Sequence, residues 1–180
     1  EHAPAAWVGE KALGKIDQVP PGELLRGEIP PPGTIIGGDV RHLTVNCCNG
    51  RPTPLDEYVE SGGYAGLRRA LGMPPEAVIA EVKDSGLMGR GGAAFPTGVK
   101  WEGAAQAGST PKYVVCNADE SEPGTFKDRV LMEEDPHRTI EGMIIAGYAI
   151  GASKGYIYVR GEYPTAYQSM KYAVDEASQA

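Results

Sequence analysis

The chain has 180 residues, of which 41% are hydrophobic and 23% are charged. This length and composition are typical of a folded domain with one core, and they exclude a disordered segment and a disulfide-rich miniprotein. The 17 basic and 24 acidic residues give a net charge of −7, which argues against a nucleic-acid-binding surface and against binding to anionic membranes.

Targeting and cysteine signals are weak. No apolar run approaches the roughly 18 residues that span a bilayer, and the N-terminus lacks a signal-peptide pattern, so we expect an intracellular protein without direct membrane insertion. The three cysteines, with Cys47 and Cys48 adjacent, indicate neither a disulfide framework nor a metal-binding pair. The chain starts at Glu1 and stops at Ala180 inside a predicted helix, which is typical of a fragment.

Residues 1–53 are predicted to be a loop-rich segment. Prolines and glycines interrupt them, and only Thr34–Ile36 and His42–Val45 are apolar enough to predict a short strand or two. No second ligand stands at a metal-site spacing from His42, so the pattern does not favour a metal-binding role for this residue.

From Pro54 onward the apolar spacing predicts short helices. Two of them cover LDEYVESGG and YAGLRRALGM, and a third covers PPEAVIAEVKDSGL with Pro74 and Pro75 in its first turn. Gly86 is predicted to end the third helix.

The second half of the chain predicts a strand, a helix, a strand and a helix, in that order. The segments are KYVVCNAD, DPHRTIEGMIIAGYAIGA, GYIYVRG and YPTAYQSMKYAVDEASQ. This order predicts an α/β fold with a parallel sheet, and ligands of such sheets bind beyond the carboxyl ends of the strands. Asn117 and Asp119 follow one strand, and Gly161 and Glu162 follow the other.

Spacing also predicts which side chains are buried. The first strand is expected to be buried, and the alternation of Tyr156 and Tyr158 indicates core and cross-strand packing rather than ligand stacking. One side of the first long helix is expected to carry Ile140, Met143, Ile144, Gly147 and Gly151, where the glycines allow close approach to a neighbour. The core face of the second is expected to carry Ala166, Tyr167, Met170, Val174 and Ala177.

A glycine-rich stretch, GLMGRGGAAFPTGVKW, covers residues 86–101. Glycine backbone can approach a phosphate or a flat ring closely, while Arg90 and Lys100 add positive charge and Phe95 adds an aromatic surface. The stretch matches neither the GxxxxGK[ST] phosphate loop nor the dinucleotide fingerprint, which requires a preceding strand. On its own, a structural turn is the better interpretation.

The segment CNADESEPGTFKDR places Asn117, Asp119, Glu120 and Glu122 just after a predicted strand. Their carboxylates and amide can contact sugar hydroxyls or the polar edges of a ring. Alone, the segment indicates a solvated acidic turn in which Asp119 or Ser121 caps a helix. The combination of this segment with the glycine-rich stretch favours a ligand site.

Several segments together resemble the flavin- and NADH-binding subunit of respiratory complex I, a family that includes diaphorase subunits of NAD-linked hydrogenases and formate dehydrogenases. They are GRGGAAFPTGVKW, YVVCNADESEPGTFKDR, PHRTIEGMIIAGYAIGA and GYIYVRGEYP. The resemblance runs from about Pro54 to Ala180 and does not extend to residues 1–50. It implies that residues 54–180 are the N-terminal part of an FMN-binding domain with a Rossmann-like parallel sheet and flanking helices.

The resemblance also implies the cofactors and their contacts. The positions that match the family's FMN contacts are Gly89, Arg90, Gly91, Gly92, Lys100, Asn117, Asp119 and Glu120. Those that match its NADH side are Phe95 and Glu122. In the family, hydride passes from NADH to FMN and electrons leave singly toward iron–sulfur clusters, so no side chain need act as nucleophile or general acid.

The chain departs from the family pattern at three points. Ala94 stands where a further glycine is usual, which is a strained choice if its φ is positive, and Gly103 stands where a bulky aromatic is expected. The later parts of the family's chain, a ubiquitin-like domain and a helical bundle that binds a four-iron four-sulfur cluster, have no counterpart here. We therefore expect no cluster and no metal ligand in this chain.

The resulting hypothesis is a subunit of an NADH:acceptor oxidoreductase of the quinone-type respiratory chain, which delivers electrons to iron–sulfur subunits of a multi-subunit redox complex. Its expected location is cytoplasmic, or peripheral on the inner face of the cell membrane, or on the matrix side in a mitochondrion. The alternatives are an inactive truncated fragment or assembly module, and an electron carrier that uses FMN without NADH. Phe95 and Glu122 argue weakly against the carrier.

Overall fold

The computed structural model describes residues 36–47 and 49–180, together with the backbone of residues 5–8 and 11–14. The chain divides into two compact units, Glu1–Gly38 and Asp39–Ala180. In the first unit, β1 (Ala5–Val8) and β2 (Lys11–Gly14) pair as an antiparallel hairpin. Sequence reasoning missed these strands because they are only four residues long and rich in alanine and glycine, which have weak strand propensity. A boundary after residue 53 stays a prediction.

The predicted strand at His42–Val45 is wrong, because these residues form bends and a turn. Leu43 and Val45 are exposed, so these side chains lack the packing on the described part of the chain that stabilises a strand. Thr34 and Ile35 lie outside the described residues, and Ile36 is not in a strand.

The described residues of the second unit form helices and strands that alternate in its C-terminal half. In chain order they are α1 (Leu55–Glu60), α2 (Ala65–Leu71), α3 (Pro75–Asp84), α4 (Thr97–Gln106), β3 (Lys112–Ala118), α5 (Lys127–Glu134), α6 (Pro136–Ile150), β4 (Ala152–Val159) and α7 (Pro164–Gln179). The prolines that open α3, α6 and α7 occupy first-turn positions, as expected. Over the described part of the chain, no helix is both long enough and apolar enough to cross a membrane.

The two strands of the second unit confirm the predicted α/β class. β3 and β4 pair in parallel, with Val115 opposite Tyr156 and Asn117 opposite Tyr158. The chain passes from β3 to β4 through α5 and α6, and α7 follows β4. The carboxyl ends of both strands therefore meet at one edge, where Asn117 and Arg160 lie.

Among the described residues, helices cover only one face of this sheet. Side chains of Cys116, Ala118, Ile157 and Val159 pack against α6 and α7. Tyr113, Val115, Tyr156 and Tyr158 point to the other face and are 47 to 62% exposed. The prediction that β3 and the two tyrosines are buried is wrong for this face, because alternate residues of a strand point to opposite sides and only one side has a helical layer. The Tyr113 and Tyr156 rings do pack across the strands, with centroids 5.8 Å apart.

Two predicted helix faces also need correction. Ile144 in α6 and Tyr167 and Val174 in α7 are exposed, whereas Ala173 is fully buried. The buried stripe of α7 follows alternating spacings of four and three residues, and Tyr167 and Val174 each lie one residue beyond it. The stripe consists of Ala166, Met170, Ala173 and Ala177.

A partly buried carboxylate joins the first two helices to α6. Glu141 accepts hydrogen bonds from the Tyr58 hydroxyl at 2.6 Å and from the backbone N–H groups of Tyr64 and Leu67 at 2.9 and 3.0 Å. The Tyr64 hydroxyl lies 2.9 Å from Nδ1 of fully buried His137. Burial, with the charge of Glu141, raises the pKa of Tyr64 to about 12, so its hydroxyl stays protonated. The hydrogen bonds of Glu141 and His137 thus fix α1 and α2 on α6.

Candidate functional site

The glycine-rich loop connects α3 to α4 and is closed at its base by two backbone hydrogen bonds. Gly89 N–H donates to the Phe95 carbonyl at 2.9 Å, and Thr97 N–H donates to the Leu87 carbonyl at 2.8 Å. Residues 90–94 form an exposed tip between these bonds, and the Phe95 ring is exposed beside it. A short ladder thus presents a small-residue tip and an aromatic ring to solvent.

The glycines of this stretch serve different purposes. A Cβ on Gly98 would lie 2.6 Å from the Lys83 backbone nitrogen, so the close packing of α4 on α3 requires glycine there. A Cβ on Gly91 would meet nothing within 4 Å. The fold itself therefore does not require glycine at Gly91, whereas the close approach of a ligand would.

The loop tip contains a residue other than glycine with positive φ, as the sequence comparison at Ala94 suggested it could. Gly92 has φ of +104° and Ala94 has φ of +49°. The left-handed conformation costs a residue with a Cβ about 1–2 kcal/mol, so the departure at Ala94 is a strained one.

Helix α4 starts directly after the loop with an open N-terminus. Its N-cap residue, Pro96, makes no side-chain cap, and its first turn contains no acidic residue. Lys100 lies one turn into the helix. The Thr97 N–H donates to the Leu87 carbonyl, so the N–H groups that follow it, the helix dipole and this ammonium group favour an anion at the start of α4.

The two predicted cations of the site are not neutralised by acidic groups. Among the described residues, neither Arg90 nor Lys100 forms an ion pair. Lys127 pairs with Asp128 at 2.7 Å, and Lys112 donates to the backbone at the end of α4, so these two lysines are engaged elsewhere. Arg90 and Lys100 thus leave positive charge at the glycine-rich loop and α4 that a ligand could use.

The acidic segment after β3 forms a tight turn. The Asn117 side-chain oxygen accepts a hydrogen bond from the Asp119 N–H at 3.3 Å, and the Ser121 hydroxyl donates to the Asp119 carboxylate at 2.7 Å. Asn117, Asp119 and Glu122 are exposed at the carboxyl edge of the sheet. They remain accessible to a ligand at this edge.

Glu120 behaves differently from its neighbours. It is only 4% exposed, and its carboxylate accepts hydrogen bonds from the backbone N–H groups of Asp128 at 2.8 Å and Arg129 at 3.0 Å. The expectation that Asp119 or Ser121 caps a helix is wrong, because Glu120 closes the N-terminus of α5. Its predicted contact with FMN stays a prediction.

The predicted site residues fall into two groups. Gly89, Arg90, Gly91, Gly92, Phe95 and Lys100 belong to the glycine-rich loop and α4, and Asn117, Asp119, Glu120 and Glu122 belong to the carboxyl edge of the sheet. Within residues 49–180, no hydrogen bond or ion pair joins one group to the other. Each group is instead fixed by its own helix, α4 or α5.

Sequence reasoning missed Arg160, the first residue after β4. Its guanidinium donates a hydrogen bond to the backbone carbonyl of Glu120 and pairs with Glu162. The available signal was a basic residue directly after an apolar strand, at the edge where ligands of parallel sheets bind.

The side chains of this region suit binding more than covalent chemistry. Burial raises the pKa of the Cys116 thiol, so it stays protonated and unreactive. The described residues contain no group of three or more His, Cys, Asp or Glu side chains placed to hold a metal ion. Cations without an acidic partner in the described part of the chain, an uncapped helix start and exposed polar groups can hold and orient an anionic ligand.

Comparisons with known proteins show the family of this chain. Residues 82–180 match a family model described as the Nuo51 FMN-binding domain. One subunit of the NADH-quinone oxidoreductase of Aquifex aeolicus is 58% identical over 123 residues, which cover 68% of this chain and 29% of that protein. The HndC subunit of the NADP-reducing hydrogenase of Solidesulfovibrio fructosivorans is 49% identical over 138 residues, which cover 77% of this chain and 28% of that protein.

A solved structure extends the comparison to the whole chain. The NAD+-reducing NiFe hydrogenase in its air-oxidised state aligns with a TM-score of 0.67 and 32% identity, over 99% of this chain and 31% of that chain. The present chain thus spans less than a third of the length of these relatives.

Proposed function

Because the chain belongs to the Nuo51 FMN-binding domain family, we propose that it holds FMN within the flavoprotein subunit of an NADH-oxidising complex. The observation that carries this proposal is the unbalanced positive charge at the glycine-rich loop. In a chain of net charge −7, Arg90 precedes and Lys100 follows an uncapped helix start, and neither has an acidic partner among the described residues. Such an arrangement is a site for a phosphate group.

The loop residues fit the phosphate end of FMN. Backbone N–H groups at the start of α4 and at the loop tip supply donors, and Lys100 and Arg90 supply counter-charge. No atom of the protein lies within 4 Å of the position that a Cβ on Gly91 would occupy. The backbone there can therefore approach a ligand closely. These residues would bind and fix the phosphate without taking part in proton transfer.

The carboxyl edge of the sheet fits the ribityl and ring end. Asn117 offers an amide and Asp119 a carboxylate, both exposed, and these groups pair with hydroxyls and with ring N–H and carbonyl groups. Phe95 and Glu122 are proposed to contact NADH, with Phe95 supplying an apolar surface and Glu122 a hydrogen-bond acceptor. FMN, when bound, supplies the hydride acceptor and the single-electron donor, and the chain supplies orientation.

The proposal also covers partners and location. The relatives are named as subunits of an NADH-quinone oxidoreductase and of a hydrogenase. We therefore assign to this chain a place in a multi-subunit redox complex, where iron–sulfur subunits receive the electrons. A peripheral position on the cytoplasmic face of the membrane would suit the quinone-linked version of that complex.

The test is a titration of the purified chain with FMN, followed by the quenching of flavin fluorescence. Wild type should show saturable binding, and Arg90→Ala and Lys100→Ala should each weaken it about tenfold, since each removes a charge-assisted contact with the phosphate. Riboflavin, which lacks the phosphate, serves as the comparison ligand and should bind all of these proteins with nearly equal affinity. Lys127→Ala is the matched control, because this exposed lysine pairs with Asp128.

Two outcomes would contradict the proposal. If the folded wild-type chain bound no FMN, the site as described would not be sufficient to hold the cofactor. If Lys127→Ala weakened FMN binding as much as Lys100→Ala, general electrostatic attraction would explain the binding, and the assignment of the phosphate to the loop would be wrong.

A further inference from the structure

Arg160 makes three different contacts at the carboxyl edge of the sheet. Nη1 donates to the backbone carbonyl of Glu120, Nε and Nη2 pair with Glu162 at 3.1 Å, and the guanidinium lies 5.1 Å from the centroid of the Tyr163 ring. The side chain is 23% exposed, so it lies mostly against the protein. A planar group with five donors can satisfy these directions together, whereas an ammonium group cannot.

The contact with Glu120 is the informative one, because it adds a second set of hydrogen bonds that fixes the acidic segment. The carboxylate of Glu120 is bound by the start of α5, and its backbone carbonyl is bound by Arg160 from the end of β4. The segment 117–122 is therefore fixed at its centre from two sides. The exposed side chains of Asn117 and Asp119 lie one to three residues away from this point.

We propose that Arg160 is a positioning residue for the flavin ring, which acts through the Glu120 carbonyl without touching the cofactor. This inference rests on the proposed function, in which segment 117–122 contacts the ring end of FMN. Arg160 determines the conformation of that segment, and so the orientation of the groups that face the ring. The phosphate end, held by the glycine-rich loop, is independent of it.

Arg129 provides a matched control within the same cluster. Its guanidinium lies 5.3 Å from the centroid of the same Tyr163 ring, and it pairs with Glu133 at 2.9 Å. Its side chain makes no hydrogen bond to segment 117–122 among the described contacts, whereas its backbone N–H does. Arg129→Ala thus removes one arginine from the ring and leaves both sets of hydrogen bonds of Glu120 in place.

The experiment compares Arg160→Ala, Arg160→Lys and Arg129→Ala with wild type. For each protein, the dissociation constants for FMN and riboflavin and the visible circular dichroism of the bound flavin are measured, after urea unfolding has shown that the variant is folded. Arg160→Ala should weaken binding of both flavins by the same factor, about tenfold, and change the flavin dichroism, since the ring contacts are misaligned. Arg160→Lys should restore the net charge without restoring the dichroism, and Arg129→Ala should match wild type.

The outcomes separate this inference from the proposed function. If Arg160→Ala kept the wild-type flavin affinity and dichroism, the positioning role would be overturned while FMN binding stands. The same holds if Arg129→Ala lost as much flavin affinity and dichroism as Arg160→Ala. Complete recovery in Arg160→Lys would also overturn it, because charge alone would then suffice. If Arg160→Ala did not fold, the lysine variant would decide. Absence of flavin binding by the wild-type chain would instead overturn the proposed function, and this inference with it.

Discussion

Two helices begin beside the candidate site, and their N-termini are built in opposite ways. At the start of α5, a buried carboxylate from Glu120 accepts hydrogen bonds from two backbone N–H groups. At the start of α4, Pro96 provides no cap, and Lys100 adds a positive charge. Since a helix start attracts anions, the chain itself satisfies α5, whereas α4 is left to an external anion.

The contrast shows that charged residues near the candidate site can have either a structural role or a role in ligand binding. The acidic segment DESE contributes one side chain to the structure and leaves the others exposed. The glycine-rich loop contributes cations that no acidic group among the described residues neutralises. The more informative signal of a ligand is thus a helix start beside cations that have no acidic partner among the described residues, and the conspicuous run of carboxylates is a weaker one.

The largest expected effect on stability comes from removing the carboxylate that closes the N-terminus of α5. Glu120→Ala should lower the free energy of unfolding by roughly 2 kcal/mol, because two backbone N–H groups at the start of α5 lose their buried, charged acceptor. Urea unfolding, followed by circular dichroism, measures this change. Glu122→Ala is the control, since that exposed carboxylate should alter stability by less than about 0.5 kcal/mol. Equal stability of the two variants would show that Glu120 does not close α5.

The reverse experiment adds a capping side chain to the N-terminus of α4. Pro96→Asp places a preferred capping residue at the start of α4, which should raise the free energy of unfolding by about 0.5–1 kcal/mol. The same carboxylate should weaken FMN binding about tenfold, because it repels the phosphate and competes for its donors. Urea unfolding and the FMN titration are measured on the same preparation. Pro96→Ala is the control, and unchanged FMN affinity in Pro96→Asp would place the phosphate elsewhere.

The smallest effect concerns strain in the loop tip beside the open terminus. Ala94→Gly should raise the free energy of unfolding by up to about 1 kcal/mol, since glycine adopts positive φ without penalty. Ala93, which is not among the residues of positive φ, is the neighbouring control, and Ala93→Gly should lower stability slightly. A loss of stability in Ala94→Gly equal to that in Ala93→Gly would argue against a left-handed Ala94.

Sequence reasoning succeeded where the signal was local. The prolines at the start of α3, α6 and α7 and the spacing of apolar residues between them were sufficient to predict these helices and the parallel pair of strands. Helix α4 was missed because TGVKWEGAAQ contains two glycines and follows a glycine-rich loop, so its packing on α3 decides its conformation. Alternation in β3 and β4 showed which residues share a face, but it does not show whether a second layer covers that face.

The site was harder to predict than the fold, because its key contacts join residues that are distant in sequence. Four polar side chains compete in DESE, and nothing in their order reveals that Glu120 folds back onto residues eight and nine positions later. Arg160 binds a backbone carbonyl 40 residues away, and a carbonyl has no sequence signature. The resemblance to a family supplied the positions of the cofactor contacts, whereas the structure supplied the difference between the two helix starts.

The sheet face that no helix of the described residues covers has a consequence for the behaviour of the chain in concentrated solution. Tyr113, Val115, Tyr156 and Tyr158 form an apolar surface, and the net charge of −7 keeps neighbouring copies apart. The range of that repulsion falls from about 10 Å in 0.1 M salt to about 3 Å in 1 M salt. Added salt should therefore turn repulsion between molecules into attraction, and the chain should remain monodisperse to higher concentration at low ionic strength.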